Sequence, residues 1–159
     1  MPRTADMRLR AATARDGAFI VEMARHACVI EDRPLPDADS EETQSLLPGS
    51  DDVAVVAEDA TDLRSGAVWT FHHDPPLLVA ADAVSLPELT IAVAPGMRGN
   101  GVGGALLDEL IVRCTGRYRA IMLNVHQRNP AARLHERKGF RMVGRGRGAL
   151  GIAMRIDLW

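Results

Sequence analysis

The chain has 159 residues, enough for one domain, spanning 1–159, that buries roughly two thirds of its unfolded surface. Its 47% hydrophobic and 25% charged content is ordinary for a soluble globule, and no run approaches the ~20 apolar residues of a membrane span. Cys28 and Cys114 are too few for a disulfide framework or a thiolate zinc site and read as small buried hydrophobes, and the opening Met1 to Asp6 has no apolar signal core, so a cytoplasmic location is expected.

Met7, Leu9 and Ala11 alternate with Arg8, Arg10 and Ala12, which predicts a first strand. Thr13-Ala-Arg-Asp16 reads as a capping box that opens a helix with Phe19, Ile20, Met23, Ala24 and Ala27 on one face. The acidic, proline-broken segment from Glu31 to Gly49 is expected to hold a short helix around Ser40 to Leu47. Val53–Ala57 and Ala67–Phe71 read as an antiparallel pair. Asp74 to Pro87 is a long, partly apolar connection, read either as a lid or interface or as a segment packed on the sheet.

Glu88-Leu-Thr-Ile-Ala-Val93 alternates as a strand and runs through a glycine-rich turn into a helix with Leu106, Leu107, Leu110, Ile111 and Cys114 on one face. Ile121–Val125 is the next strand. Asn129 as N-cap with Pro130 after it starts a further helix, which Gly139 ends. Phe140–Val143 and Gly151–Leu158 read as two terminal strands. The order β, α, α, β, β, β, α, β, α, β, β implies a mixed α/β sheet with helices on both faces.

Charge is uneven although the formal net is only −2. Glu31 to Asp62 holds eleven acids against Arg33, and Arg113 to the end holds eleven bases against Glu136 and Asp157. Either block reads as solvated surface. Alternatively the basic half favours a phosphate-rich ligand and the acidic segment a cationic amine.

The glycines carry the chemistry. Gly99, Gly101, Gly103 and Gly104 let backbone N–H groups converge on an anion, toward which the following helix points its positive end. A P-loop would need Gly-Lys-Ser/Thr where the chain has Gly103-Gly104-Ala105. A dinucleotide fold would need an acid about 20 residues on, where Asn124 stands.

The run Arg98-Gly-Asn-Gly-Val-Gly103, after Ile91-Ala-Val-Ala-Pro95, resembles the pyrophosphate-binding motif of the GCN5-related N-acetyltransferases, Gln/Arg-x-x-Gly-x-Gly/Ala. Downstream, Asn129-Pro-Ala-Ala-Arg-Leu-His-Glu-Arg-Lys-Gly-Phe140 is similar to that family's Asn-Pro-Ala-x-Arg-Leu-Tyr-Glu-Arg-x-Gly-Phe. The resemblance implies a mixed, mostly antiparallel central sheet whose two central strands, Leu89–Ala94 and Ile121–Val125, splay around a pantetheine arm, with the helix-loop region Glu31 to Gly49 overhanging the acceptor site. It implies acetyl-CoA as co-substrate, no metal, and transfer to a primary amine by direct attack in a ternary complex. Coenzyme contacts carried over are main-chain groups of Ile91, Ala92 and Val93, the loop Arg98, Gly99, Asn100, Gly101, Val102, Gly103 and Gly104, and Asn129, which caps its helix in either case.

His135 stands where the family has a tyrosine that protonates the departing thiolate. Histidine ordinarily titrates near 6.5, so His135 either donates, with activity falling as it deprotonates, or lines the site. Glu88 is the candidate base, acting through water, or else a solvated residue at a strand end. Some protein N-terminal acetyltransferases of the family have a glutamate at the position of Asn124, which cannot serve as that base. A small-molecule amine is therefore expected as partner, with a peptide amine, a catalytically silent acyl-CoA-binding module and a homodimer as alternatives. His72 and His73, adjacent on a strand, point to opposite faces and do not make a metal site. Trp69 reads as buried core or as a wall of the acceptor pocket. The arginines from Arg133 to Arg147 lack interleaved aromatics, so nucleic-acid binding is not expected.

Overall fold

A computed structural model describes residues 7–29, 34–73, 77 and 86–158. Seven strands form one sheet in the order β1-β2-β3-β4-β5-β7-β6. They are β1 (Arg8–Ala11), β2 (Ala54–Glu58), β3 (Arg64–Phe71), β4 (Glu88–Val93), β5 (Ala120–His126), β6 (Arg141–Arg145) and β7 (Gly151–Asp157). Every neighbouring pair is antiparallel except β4 and β5. The element order read from periodicity is the order observed.

Helices cover both faces. On one, α1 (Gly17–Ala27) sets Ile20, Met23 and Ala24 on Val56, Ala67, Trp69 and Ala92. On the other, α3 (Val102–Cys114) sets Leu106, Leu107 and Leu110 on Val55, Val68, Leu89 and Leu123. Alternation along β4 sends Leu89, Ile91 and Val93 to the α3 side and Ala92 to the α1 side, as a period of two requires.

The predicted second helix is shorter than expected. α2 is Glu41–Gln44, with the Ser40 hydroxyl accepting the Thr43 N–H at 3.1 Å. Trp69 belongs wholly to the core, and its indole N–H donates to the Leu46 carbonyl at 2.7 Å, which ties the chain after α2 to the sheet. The Thr13–Asp16 cap is present over a single 3-10 turn, with Asp16 accepting the Thr13 N–H at 2.7 Å. Asp16 is buried and also takes Arg10 at 2.8 Å and Arg64 at 2.7 Å, joining β1, α1 and β3. These guanidiniums, Arg10 first, hold its carboxyl far below the usual carboxylate range despite burial.

The last helix, α4 (Ala131–Arg137), has Pro130 rather than Asn129 at its cap position. Asn129 still satisfies a free helical donor, its side-chain oxygen accepting the Ala131 N–H at 2.9 Å. Residues 74–76 and 78–85, most of the connection read as lid or packed segment, lie outside the described residues, as do Glu31, Asp32 and Arg33. No described helix is long and apolar enough to cross a membrane.

Candidate active site

β4 and β5 share one parallel register pair, Glu88 with Met122, and then part. The gap lies beside the main chain of β4. Ala94 donates to the Ser65 carbonyl at 2.8 Å, so alternation commits the peptide groups of Ala92 to β3 and turns those of Ile91 and Val93 to the gap. The expectation for Ala92 is corrected on this point, because its backbone is already used by the sheet.

The glycine loop follows. Gly99 and Gly101 have φ of +83° and +80°, and a Cβ at Gly99 would meet nothing within 4 Å. Gly103 and Gly104 serve a different end. Both lie inside α3, and a Cβ on either would approach Leu134 of α4 or Lys138 at its C-cap, so these glycines let the two helices pack closely. Arg98 is exposed and turns its Nε to the Val93 carbonyl at 3.4 Å, while the Asn100 amide donates to Met97 at 3.2 Å.

At the other end of the gap is a cavity of about 410 Å³. Its walls include Glu88, Thr90 and Ile91 of β4, Leu123 to Val125 of β5, Asn129, and His135 of α4. Glu42, Ser45 and Leu46 overhang it. Glu88 and His135, from strands and helices far apart in the chain, thus face one cavity.

Glu88 is not the solvated strand-end residue that was the alternative expectation. It is 1% exposed, and its two carboxylate oxygens receive the two terminal nitrogens of Arg147, each at 2.6 Å. Such a fork fixes the carboxylate's plane as well as its charge. Arg147 was not singled out in the sequence as a site residue. The signal was the Gly144-Arg-Gly-Arg-Gly148 run, read only as a turn. Gly146 lets that turn come in: a Cβ there would sit 1.8 Å from the Asn124 side-chain oxygen. That oxygen accepts the Arg147 N–H at 2.8 Å, giving Asn124 a positioning task in place of a base's.

His135 is 3% exposed, stacks edge-on against Phe140 at 5.8 Å, and holds its Nδ1 buried without a hydrogen-bond partner among the described residues. Desolvation brings its pKa down to about 4, because an imidazolium there would lose water and gain no counter-charge. The expectation of titration near 6.5 is corrected accordingly. Cys28 also lines the cavity, with burial and the neighbouring Glu42 pushing its thiol up to about 11, so it is no nucleophile at neutral pH. His72 and His73 diverge: His73 walls this cavity, whereas His72 sits by Asp52 at 3.4 Å. No metal-binding cluster occurs among the described residues.

A family model described as "Acetyltransferase (GNAT) domain" matches residues 50–142. The chain belongs to the GNAT acetyltransferases. Among relatives of this GNAT protein, phosphinothricin N-acetyltransferase of Streptomyces coelicolor is 27% identical over 91% of the chain and 87% of its own length. The solved structure of a phosphinothricin acetyltransferase from Sinorhizobium meliloti in complex with AcCoA is 25% identical, with a TM-score of 0.71 over 96% of this chain and 89% of that one. A GCN5-related N-acetyltransferase from Kribbella flavida, 24% identical, shares the fold with a TM-score of 0.72 over 97% and 99%.

Proposed function

We propose that this GNAT acetyltransferase moves the acetyl group of acetyl-CoA to the primary amine of a small molecule by direct attack in a ternary complex. The observation that carries the reading is that Glu88 and His135 wall the same cavity, at the mouth of the opened β4–β5 gap. The residues present fit the coenzyme. Peptide groups of Ile91 and the N–H of Val93 turn to the gap side, the positive-φ glycines leave N–H groups unscreened by side chains, and a 13-residue helix begins behind them. Arg98, Gly99, Asn100, Gly101, Val102, Gly103, Gly104 and Asn129 would hold its phosphates and arm.

The coenzyme, when bound, supplies a thioester whose acyl carbon accepts the amine. Glu88 receives a proton from the attacking nitrogen, directly or through one water, in the orientation that Arg147 imposes. His135, neutral at working pH, hydrogen-bonds at the sulfur from one ring nitrogen instead of titrating as an acid. A departing thiolate resembling cysteine has a conjugate acid near 8.5, so water completes its protonation. Enclosure by Glu42, Ser45 and Leu46 supports a small acceptor, as does the naming of the Streptomyces coelicolor relative for phosphinothricin.

The test is free-thiol release from acetyl-CoA across amino acids, polyamines, aminoglycosides and peptides. Glu88→Gln is expected to lower kcat by about 100-fold while CoA affinity, measured calorimetrically, holds. Tight CoA binding with no thiol released by any amine would refute the enzymatic reading in favour of a silent acyl-CoA-binding module.

A further inference from the structure

The cavity between β4 and β5 is walled by two chemistries, and the sheet divides them. On the α1 side its strand residues are Glu88, Thr90 and Asn124, with Glu42 and Ser45 overhead. On the α3 side they are Leu89, Ile91, Leu123 and Val125, which belong to the α3 core or pack against it. A period of two along both strands produces this division, since neighbouring residues point through opposite faces.

The same strands set the depth. Glu88 and Met122 form the one parallel register pair, and the Met122 N–H donates to the Pro87 carbonyl at 2.9 Å beside it, so the opening narrows to a vertex there. Leu89 and Leu123 are the first residues past the vertex to point to the α3 side. Their side chains belong to residues only 6% and 2% exposed, and they make a packed floor that yields little room. Helix α4 closes this side, with Leu134 against α3 and His135 on the cavity wall as a ring that burial keeps neutral. Among the described residues that line the α3 side of the cavity, none carries a charge.

We propose that Leu89 and Leu123 set the length and polarity of the acyl group taken from the coenzyme: a short, uncharged acyl chain seats its alkyl end on this floor, while the amine enters from the Glu88 side. An arm held by the glycine loop at the open end of β4 directs its acyl end to the closed one. Each methylene beyond acetyl has to displace a buried leucine methyl, and a carboxylated acyl group would bring an unpaired charge onto an apolar wall. This rests on the acetyl-transfer reading for the course of the coenzyme and goes beyond it in naming what limits the donor.

The test titrates acetyl-, butyryl- and succinyl-CoA calorimetrically into the protein without acceptor, and assays thiol release from each across the amine panel. Wild type is expected to bind butyryl-CoA at least about tenfold more weakly than acetyl-CoA, the low end of what one misfitted methylene is worth in an apolar pocket. Leu123→Ala and Leu89→Ala should each narrow that ratio to about threefold or less, because each removes more carbon than butyryl adds. Succinyl-CoA should stay weak in every protein. Leu123→Val and Leu89→Val remove a single carbon and should narrow the ratio in the same direction, which keeps the test decisive where alanine prevents folding. Equal affinities for acetyl-CoA and butyryl-CoA in wild type, an unchanged ratio in the folded leucine variants, or succinyl-CoA bound as tightly as acetyl-CoA would overturn the floor. Chain-length selectivity in binding with no thiol released to any amine would refute acetyl transfer and leave the floor standing. Thiol release from acetyl-CoA and butyryl-CoA at equal rates and affinities would do the reverse.

Discussion

His135 offers the sharpest quantitative check, because its burial has a thermodynamic consequence independent of turnover. In the unfolded chain the ring titrates near 6.5, and in the folded protein burial brings it down to about 4. Below 6.5 the unfolded state therefore binds a proton that the folded state refuses. Stability from this residue is fully present above 6.5 and is lost as pH falls to about 4. The full shift corresponds to about 3 kcal/mol, and between pH 8 and pH 5 the loss is about 2 kcal/mol. His135→Phe keeps a ring beside Phe140 and removes the titration. Urea unfolding of both proteins, followed by the fluorescence of buried Trp69, should show wild type losing about 2 kcal/mol more than the variant between those pH values. Losses equal within about 0.5 kcal/mol would mean that the folded protein protonates His135 as readily as water does, and the desolvation reasoning would fail. By the same shift, kcat should show no limb near pH 6.5 from this residue. At pH 8, His135→Phe is expected to slow turnover at least about tenfold with CoA binding intact, the low end of what a positioned donor contributes.

Other perturbations probe the frame around the site. Gly146→Ala forces the turn away from Asn124, so kcat should fall with loss of the Arg147–Glu88 fork, and the unfolding midpoint should fall with it because Glu88 is left buried without its counter-charge; wild-type kcat in this variant would refute the positioning role of the turn. Gly101→Ala puts a side chain at φ of +80°, costing about 1–2 kcal/mol of strain, and should weaken CoA binding more than amine binding by titration. Asp16→Ala strips the buried partner of Arg10 and Arg64 and is expected to destabilise by about 3–5 kcal/mol in urea. Asp16 keeps its charge far below the ordinary carboxylate range, so its stabilisation is complete above about pH 4 and lost only in stronger acid; its variant should therefore not alter the pH 8 to pH 5 difference.

Legibility differed by residue. The glycine loop and the α3 face were readable because φ sign and a period near 3.6 are local properties. Glu88 and His135 were readable as candidates from the motif positions they hold, but their states were not. The carboxylate was expected with water and is instead held by a guanidinium 59 residues away. The imidazole was expected to titrate near neutrality, and its burial instead brings the pKa down to about 4. Trp69 had two readings, and only the Leu46 carbonyl decided for the core. Gly103 and Gly104 carried the motif, yet their close neighbours are α4 side chains.

Local chemistry determined the order of strands and helices, the positive-φ glycine loop and the family. Alternation, capping and glycine conformations depend on residues a few positions apart and carry into the structure, except that the cap of α4 falls on Pro130 and that Gly103 and Gly104 lie inside α3. Tertiary structure alone decided which strands part and which carboxylate meets which guanidinium. Those outcomes depend on desolvation and on pairing between β4, β5, α4 and the β6–β7 turn, which the chain brings together only when the sheet is complete.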